Sequence, residues 1–325
     1  MISLRKLSEY MTSLNGWIVY NGHVTSSKFM DLFFNLQDIC ASKGLNTKLV
    51  KHHELVPVIE KGKPILKGLY SEEKPDFIIY WDKDTALARH LEIMGFKVYN
   101  SALAIKNCDN KSLTYQILSE YEVPMPKTIN APLVYPSCKV TDYSFYDVVE
   151  QELGYPFVLK ESYGSFGMQV YLIQNREEFL KKVDELQYVP HLYQEFIESS
   201  KGRDMRLYVV GDRVVASMLR SSDTDFRANA ELGGDAFAYE PTESQKELAL
   251  RCAKILGVDF AGIDLLFGEN DEAIVCEVNS NAHMKAIMKC TGINVAELII
   301  EYIKNDLIKP KKKSVRLAIS SDTKK

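Results

Sequence analysis

The chain has 325 residues and a formal net charge of −4 at pH 7, with 46% hydrophobic and 26% charged residues. This balance is typical of a globular protein with two or three domains, and it gives no general attraction to nucleic acid. No apolar run approaches the roughly 18 residues that a membrane span needs, and the N-terminal "MISLRKLSEYM" lacks a signal-peptide core. We therefore expect neither a membrane nor a nucleic-acid partner.

The cysteines are scattered along the sequence and form no CxxC pair and no Cys/His cluster. Such usage predicts reduced thiols in a cytoplasmic protein, several of them in the core, and no zinc site. The six positions are Cys40, Cys108, Cys138, Cys252, Cys276 and Cys290.

The first third of the chain alternates strand and helix patterns. Apolar stretches "GWIVY", "NTKLV", "PDFIIYW" and "KVYN" are separated by the helical "SSKFMDLFFNLQDICASKG" and "DTALARHLEIMG", which predicts a small parallel sheet with flanking helices. No GxGxxG motif supports dinucleotide binding there. The next stretch, "SALAIKNCDNKSLTYQILSEYEVPMP", is helical, with Asp109 as candidate N-cap of a second helix; Pro124 and Pro126 end it.

After a loop rich in aromatics the chain changes to short strands: "PFVLKES", "MQVYLI", "HLYQEFIE", "RLYVVG" and "RVVASMLR", with the helix "REEFLKKVDELQ" between them. "VVGDRVV" predicts a hairpin. "TESQKELALRCAKILG" predicts a helix with a Thr242/Gln245 capping box and a stop at Gly257. The final "KPKKKSVRLAISSDTKK" is basic and has little periodicity, which favours a solvated or disordered tail over a partner-binding one.

A second hairpin is predicted for "FAGIDLLFGENDEAIVCEVNSN". A turn centred on Asn270–Asp271 would place Asp264 opposite Glu277, and Leu266 opposite Val275. Two carboxylates would then face each other on an otherwise apolar pair of strands, where they repel unless a cation or a proton separates them.

Strand alternation adds an amide to the two acids. It places Glu277 and Asn279 on one face of the hairpin and Ile274, Cys276 and Val278 on the other. Carboxylate and amide oxygens suit Mg²⁺, which takes one or two carboxylates together with substrate phosphates. The alternative is structural, with Glu277 paired to a nearby arginine and the aspartate acting as a cap.

The stretch "KESYGSFGMQV" (residues 160–170) is either a tight hairpin turn or a phosphate loop. It is not GxxxxGK[ST], so a P-loop ATPase is not indicated. Lys160 beside the glycines favours phosphate, because an ammonium near backbone N–H groups suits an anion. The segments "KGRDMR" and "FRANAELGG", with Arg220, indicate either a solvated surface or a mobile loop beside a site.

Taken in order, these segments resemble the ATP-grasp ligases, in particular the RimK-like group of glutamate ligases. The resemblance runs from about Pro75 to Ile303 through "DNK", "PFVLKESYGSFGMQV", "QEFIE", "GRDMR", "FRANAELGG", "AGIDLLF" and "CEVNSN". It implies an α/β (α+β) ATP-grasp fold with a pre-ATP-grasp parallel α/β domain (1–122), a central lid subdomain (123–197), a C-terminal antiparallel-sheet domain with the metal site (198–308), and the basic tail (309–325).

The resemblance also implies roles for matching residues. Lys160 and the earlier Lys111 would contact phosphates, Glu195 and Phe196 would form the adenine hinge, and Asp204 would lie on the ribose side. The full ATP set is Lys111, Lys160, Gly164, Ser165, Gly167, Gln194, Glu195, Phe196, Ile197, Asp204, Arg227 and Asn229. The implied catalytic cations are Arg206, Arg220 and Arg227, and the implied metal ligands are Asp264, Glu277 and Asn279.

The implied activity is carboxylate–amine ligation through an acyl phosphate, with ATP and Mg²⁺ (or Mn²⁺, two ions) as cofactors and ADP and phosphate as products. The added group would be glutamate or another amino acid, and the acceptor a metabolite, a peptide, a carrier protein or a ribosomally made peptide. Homo-oligomer formation stays open. A different class is a non-catalytic ATP-binding regulatory protein, which the intact Asp264, Glu277 and Asn279 set disfavours.

One segment departs from the family pattern. Where the family often continues into Ser-Pro-Gly, this chain reads "EVNSNAHMKAI". That change leaves the metal ligands in place and puts the acceptor pocket in doubt. His283 and Lys285 are either part of that pocket or ordinary surface residues.

Overall fold

The computed structural model describes residues 14–228 and 234–309. They form three larger sheets and a two-stranded hairpin. Asn229, a predicted nucleotide residue, lies outside the described residues, as do 310–325 of the predicted basic tail. Within the described ranges, every helix is too short or too polar to cross a bilayer.

The first sheet is parallel, with strand order β2-β1-β5-β6, as the alternating pattern predicts. Its core strand Phe77–Trp81 is buried along its whole length because helices cover both faces. The separate hairpin β3-β4 was not predicted. The elements of this part are β1 (Asn15–Tyr20), α1 (Ser27–Ser42), β2 (Asn46–Lys51), β3 (Leu55–Glu60), β4 (Lys63–Gly68), β5 (Phe77–Trp81), α2 (Thr85–Ile93) and β6 (Val98–Tyr99).

Two consecutive helices, α3 (Ala102–Asp109) and α4 (Lys111–Ser119), lead out of this sheet. The predicted cap at Asp109 was wrong. Asn110 has the extended backbone between the helices, and its side chain accepts a hydrogen bond from the Leu113 amide at 3.1 Å. Asp109 instead ends the first helix, where its carboxylate pairs with Lys83 at 2.5 Å.

The central sheet, which we call the lid sheet, is antiparallel with order β7-β10-β8-β9. Its core contains aromatic rings packed edge to face, among them Phe157, Phe179 and Tyr193. The aromatic stretch predicted as a loop contains a helix, whose rings complete this core. The elements are β7 (Thr128–Asn130), α5 (Ser144–Leu153), β8 (Phe157–Glu161), β9 (Val170–Ile173), α6 (Arg176–Leu186) and β10 (His191–Glu195).

The third sheet, which we call the wall sheet, is antiparallel with order β13-β12-β11-β14-β15. Both predicted hairpins are present, and the Thr242/Gln245 capping box and the left-handed Gly257 stop are confirmed. The elements are β11 (Arg203–Val210), β12 (Arg213–Ser221), β13 (Asp235–Ala238), α7 (Glu243–Leu256), β14 (Phe260–Phe267), β15 (Ala273–Asn279), α8 (Lys285–Thr291) and α9 (Val295–Ile308).

The hairpin of β14 and β15 contains a bulge. Asp264 lies opposite Glu277, as predicted, but Val275 lies opposite Leu265 and not Leu266, because the register shifts between these pairs. An unpaired extra residue in one strand produces such a shift.

The bulge changes which side chains reach the cleft. Val275 and Val278 are buried in the core, whereas the Cys276 sulfur lies 3.9 Å from the Lys160 Nζ. The prediction that grouped Cys276 with Val278, away from Glu277, was therefore wrong.

The last helix joins the two ends of the described chain. Helix α9 packs on α1, where Ile299 and Ile300 share one core with Phe33 and Leu36. Lys43 lies 2.5 Å from Glu297 in the same contact. The parallel sheet is thereby held against the wall sheet.

Candidate active site

A cleft of about 230 Å³ lies where the three sheets meet. The parallel sheet contributes Trp81, the lid sheet contributes Lys160, and the wall sheet contributes Asp264. All of the predicted site residues that the structure describes line this cleft: Lys111, Lys160, Gly164, Ser165, Gly167, Gln194, Glu195, Phe196, Ile197, Asp204, Arg206, Arg220, Arg227, Asp264, Glu277 and Asn279. Their individual roles stay predictions.

Lys160 is buried at the end of β8 and donates a hydrogen bond to Gln194 Oε1 at 2.6 Å. Gln194 is itself fixed, because its amide nitrogen donates to Thr128 at 2.9 Å. Burial disfavours the ammonium, but the Cys276 sulfur, the Tyr115 hydroxyl and the Glu277 carboxylate raise the pKa of Lys160 above its ordinary value. The cleft therefore holds a fixed positive charge at this point.

The hinge segment follows directly on Gln194. Glu195 points outward, where its carboxylate accepts a hydrogen bond from the Lys127 amide at 3.1 Å. Phe196 and Ile197 line the cleft, and the Phe196 ring lies 6.2 Å from that of Phe226. The segment thus offers a flat apolar surface beside backbone polar groups, which suits a heterocyclic base.

The wall sheet carries a buried network of two arginines and two aspartates. Arg220 binds Asp204 through two hydrogen bonds of 2.6 and 2.7 Å. Arg206 binds Asp264 in the same way at 2.6 and 2.7 Å, and Arg220 also reaches Asp264 at 2.9 Å. These residues meet because strand register places Asp204 opposite Arg220 and Arg206 opposite Asp264.

The network acts differently on its two aspartates: burial raises the pKa of the Asp204 carboxyl despite Arg220, whereas Asp264 is kept ionised. Burial favours the neutral form of Asp264, but Arg206 and Arg220 hold the pKa of its carboxyl below the ordinary value. Burial likewise opposes ionisation of Glu277, whereas Lys111, whose Nζ lies 3.2 Å away, lowers its pKa. The ion-pair partner of Glu277 is therefore a lysine and not the arginine of the structural alternative.

The oxygen atoms of Asp264, Glu277 and Asn279 fit a magnesium ion. Carboxylate and amide oxygens are the ligands this ion takes, and the Asn279 amide nitrogen is buried without a hydrogen-bond partner among the described residues. Asp264 already accepts from two arginines, so it would share its remaining lone pairs with the metal. Glu277 and Asn279 have fewer competing interactions than Asp264 and would be the more available ligands.

The Gly-rich loop between β8 and β9 lies over the cleft and is held by few contacts. Ser165 Oγ accepts from Lys83 at 3.0 Å, and Arg227 donates to the Gly167 carbonyl. Gly167 has φ 70°, a conformation that favours glycine. The side chains of Phe166 and Met168 are exposed. A loop with this exposure and so few anchors is able to move.

Arg227 is positioned by its own segment. Asp225 accepts hydrogen bonds from Arg227 Nε at 2.9 Å and Nη2 at 2.7 Å, and this hydrogen bonding raises the pKa of the guanidinium despite partial burial. The guanidinium thus bridges the loop after β12 and the Gly-rich loop.

Residues beyond β15 also line the cleft. His283 lines the cleft and its ring lies 5.6 Å from that of Phe29, in an edge-to-face arrangement. Lys285 is exposed and is not part of the cleft lining. Of the two residues left open by the sequence, only His283 therefore faces the cleft.

Sequence reasoning missed several residues in the cleft or directly behind its lining. Lys83 bridges Asp109 and the Gly-rich loop, and Tyr115 donates its hydroxyl hydrogen bond to the Cys276 carbonyl. Asn281 donates to the Asp82 carbonyl at 2.9 Å. The departure segment "NSNAH" was a signal for Asn281, whereas nothing in the sequence pointed to Lys83 or Tyr115.

Known proteins resemble this chain in sequence and in fold. The RimK-like ATP-grasp domain model matches residues 108–303. N-acetylaspartylglutamate synthase A of Homo sapiens is 34% identical over 240 residues, 73% of this chain and 59% of that protein. Beta-citrylglutamate synthase B of Mus musculus is 33% identical over 275 residues, 81% of this chain and 70% of that protein.

Among solved structures, the ATP-grasp ligase PsnB complexed with minimal precursor, Mg and ADP has a TM-score of 0.65 at 15% identity, over 91% of this chain and 98% of that one. This likeness concerns the fold. The chain spans about three-fifths of the human synthase's length. Because the family model matches well over half of the 325 residues, the chain belongs to the RimK-like ATP-grasp family.

Proposed function

We propose that this protein is an ATP-dependent carboxylate–amine ligase that forms an amide bond through an acyl phosphate and releases ADP and phosphate. The observation that carries the proposal is the arrangement of fixed charge in one cleft. Two carboxylates with lowered pKa values, Asp264 and Glu277, face the buried Lys160 and the Arg206–Arg220 pair.

The chemistry demands control of charge, since a substrate carboxylate must approach the γ-phosphate of ATP and both are anions. Lys111 and Lys160 would hold the phosphates, and the guanidinium groups of Arg206 and Arg220, which line the cleft, would receive the carboxylate and stabilise the charge that develops in transfer. Glu277, Asn279 and Asp264 would hold Mg²⁺, which would supply positive charge against the phosphates. Positioning and electrostatics would supply the catalysis, with no covalent enzyme nucleophile.

The Gly-rich loop has a second task in this proposal. An acyl phosphate is hydrolysed by water, so the cleft must close before it forms. Gly164, Ser165 and Gly167 would provide the closing loop, and Arg227 would tie it to the wall sheet. The boundaries 1–122, 123–197 and 198–308 are proposed as the three working units.

We propose glutamate, or another amino acid, as one substrate, because both curated relatives are named for products that contain glutamate. A peptide is the second candidate, because the structurally similar PsnB is described with a minimal precursor bound. The exposed approach past His283 and Phe29 would admit either.

The test is a product assay. The purified protein is supplied with ATP, Mg²⁺, glutamate and a panel of small carboxylic acids and peptides, and each nucleotide product is quantified. We expect ADP and phosphate in amounts equal to the amide formed, and none when either substrate is omitted. Release of AMP and pyrophosphate would contradict the acyl-phosphate route. ATP binding without turnover on any pair would favour the regulatory class.

A further inference from the structure

Three of the chain's six histidines lie together at the carboxyl end of the parallel sheet. His23 follows β1, and His52 and His53 follow β2. One ring nitrogen from each lies within 4.8 Å of the others, and the ring centroids are 5.0 to 5.4 Å apart. The parallel pairing of β1 and β2 brings both strand ends to the same edge.

The cluster is packed against the backbone. A Cβ atom built at Gly22 would lie 2.3 Å from the His53 ring. Only glycine therefore lets this ring sit where it does, directly beside the turn that carries His23. The His53 ring is thus packed against the Gly22 backbone, although His23 and His53 are exposed to solvent.

Asp82, at the end of the neighbouring strand β5, completes the surroundings. Its Oδ1 accepts from the Lys83 amide at 2.6 Å, whereas its Oδ2 is buried without a hydrogen-bond partner among the described residues. That oxygen lies 3.9 Å from His52 Nδ1. The same Nδ1 lies 2.9 Å from the Gly22 amide, so it accepts a hydrogen bond in the ligand-free protein.

We propose that His23, His52 and His53 bind a divalent transition-metal ion, with Zn²⁺ as the biological candidate. Imidazole nitrogens suit Zn²⁺ and do not suit Mg²⁺, which prefers oxygen. Three protein ligands leave a fourth position for water or a carboxylate. The site lies outside residues 108–303 that match the family model, and it does not rest on the ligase proposal.

The buried Asp82 oxygen has a role in the metal-bound state. A metal on His52 Nε2 requires the proton on Nδ1, which then cannot accept from Gly22. The Nδ1–H would instead donate to Asp82 Oδ2. A carboxylate behind a metal-bound histidine orients the ring and raises its basicity. Metal binding would thus exchange hydrogen bonds at His52: Asp82 Oδ2 would gain a donor, and the Gly22 amide would lose its present acceptor.

The experiment uses the full chain without a histidine tag, freed of metal and titrated with Co²⁺ and Zn²⁺. We expect one equivalent of Co²⁺ to give visible absorption bands that Zn²⁺ abolishes and millimolar Mg²⁺ does not. His23→Ala and His53→Ala should each weaken binding at least about tenfold. Both positions are exposed, so these variants should fold, which circular dichroism checks.

Three further variants separate this site from others. Glu277→Gln should leave the Co²⁺ absorption bands unchanged, because the three histidines lie outside the cleft lining, and His90→Gln, the histidine control on α2, should also leave them unchanged. Asp82→Asn keeps the shape but loses the acceptor, and it should weaken binding about 10-fold to 100-fold. The proposal would be overturned if Co²⁺ binding did not saturate, or if the His23→Ala and His53→Ala variants bound Co²⁺ as tightly as the native protein. Unchanged affinity in Asp82→Asn would overturn the role of the carboxylate.

Discussion

The two sheets that enclose the cleft work by different means. The wall sheet presents buried ion pairs fixed by strand register, with Arg220 shared between Asp204 and Asp264. The lid sheet has an aromatic core and presents one buried cation, Lys160, below an exposed loop. The comparison suggests that charge is organised in advance on one side of the cleft and that movement is confined to the other.

The difference follows from the free-energy cost of burying charges in one sheet and of moving a loop in the other. Charges buried together must keep fixed geometry, since desolvation is offset only by close, well-aligned partners. Adjacent antiparallel strands supply that geometry. A closing loop must instead open at little cost, and the Gly-rich loop depends on single contacts such as Lys83 to Ser165.

The largest effect expected is on the stability of the wall. Arg220→Met leaves the carboxylates of Asp204 and Asp264 buried with fewer partners, which should lower the free energy of unfolding by about 3–5 kcal/mol. Urea unfolding measures it. Arg213→Met, on the exposed start of the same strand, is the matched control and should change stability by less than about 0.5 kcal/mol. If Arg220→Met and Arg213→Met lowered the free energy of unfolding equally, the wall sheet would not depend on its buried ion pairs.

The next effect concerns turnover and leaves the fold intact. Glu277→Gln removes a charge but keeps size, so kcat/KM should fall about 10²–10³-fold while the fold is retained. The loss of the pair with Lys111 should lower stability less than Arg220→Met does, because Glu277 is partly exposed. Glu269→Gln, in the exposed turn of the same hairpin, should retain full activity. Full activity of Glu277→Gln would defeat its assignment as a metal ligand.

The sequence was sufficient for most strands and helices, because alternation and caps are local signals. It even placed Asp264 opposite Glu277. The bulge that turns Cys276 into the cleft was not predictable, since an inserted residue leaves the apolar pattern almost unchanged.

Contacts distant along the chain were also beyond the sequence. Nothing local marks the pairing of Lys43 with Glu297, or the bidentate hold of Arg206 on Asp264. Arg206 and Arg220 were predicted as catalytic cations, and the structure adds that each is already held by a carboxylate. Histidines at 23, 52 and 53 form no spacing motif, so their meeting depends on the parallel sheet.

A smaller effect is expected on the lid side. Lys83→Met removes the contact with Ser165 and the ion pair with Asp109, which should raise KM for ATP about 3–10-fold, the range of one or two partly exposed polar contacts. Stability should hardly change. Lys74→Met, exposed on the same part of the chain, is the control. If Lys83→Met lowered stability as much as Arg220→Met does, the Gly-rich loop would be firmly anchored, and the proposal that it moves would be contradicted.

The smallest effect is a pH dependence that should separate the two sheets. His191 begins β10 of the lid sheet and is buried, with its ring nitrogens 2.7 Å from the Val189 carbonyl and from the Tyr193 hydroxyl. Burial lowers its pKa below the ordinary 6.5. The unfolded chain therefore binds this proton more readily, so the contribution of His191 to stability is complete above pH 6.5 and is lost as the pH falls toward the folded pKa.

The pKa of Asp264 in the wall sheet is lowered below the ordinary value of an aspartate. Its contribution to stability therefore persists until the pH falls much further. Between pH 8 and pH 5, hydrogen exchange should accelerate relative to its intrinsic rate at the β10 amides and stay nearly constant at those of β14. His191→Gln, which keeps one donor and one acceptor, should remove most of that change, whereas His53→Gln on the surface should not. If hydrogen exchange at the β10 amides depends on pH equally in the native protein and in His191→Gln, the stability of the lid sheet does not depend on a neutral histidine. The contrast between an ionic wall sheet and a neutral lid sheet would then have to rest on the cleft residues alone.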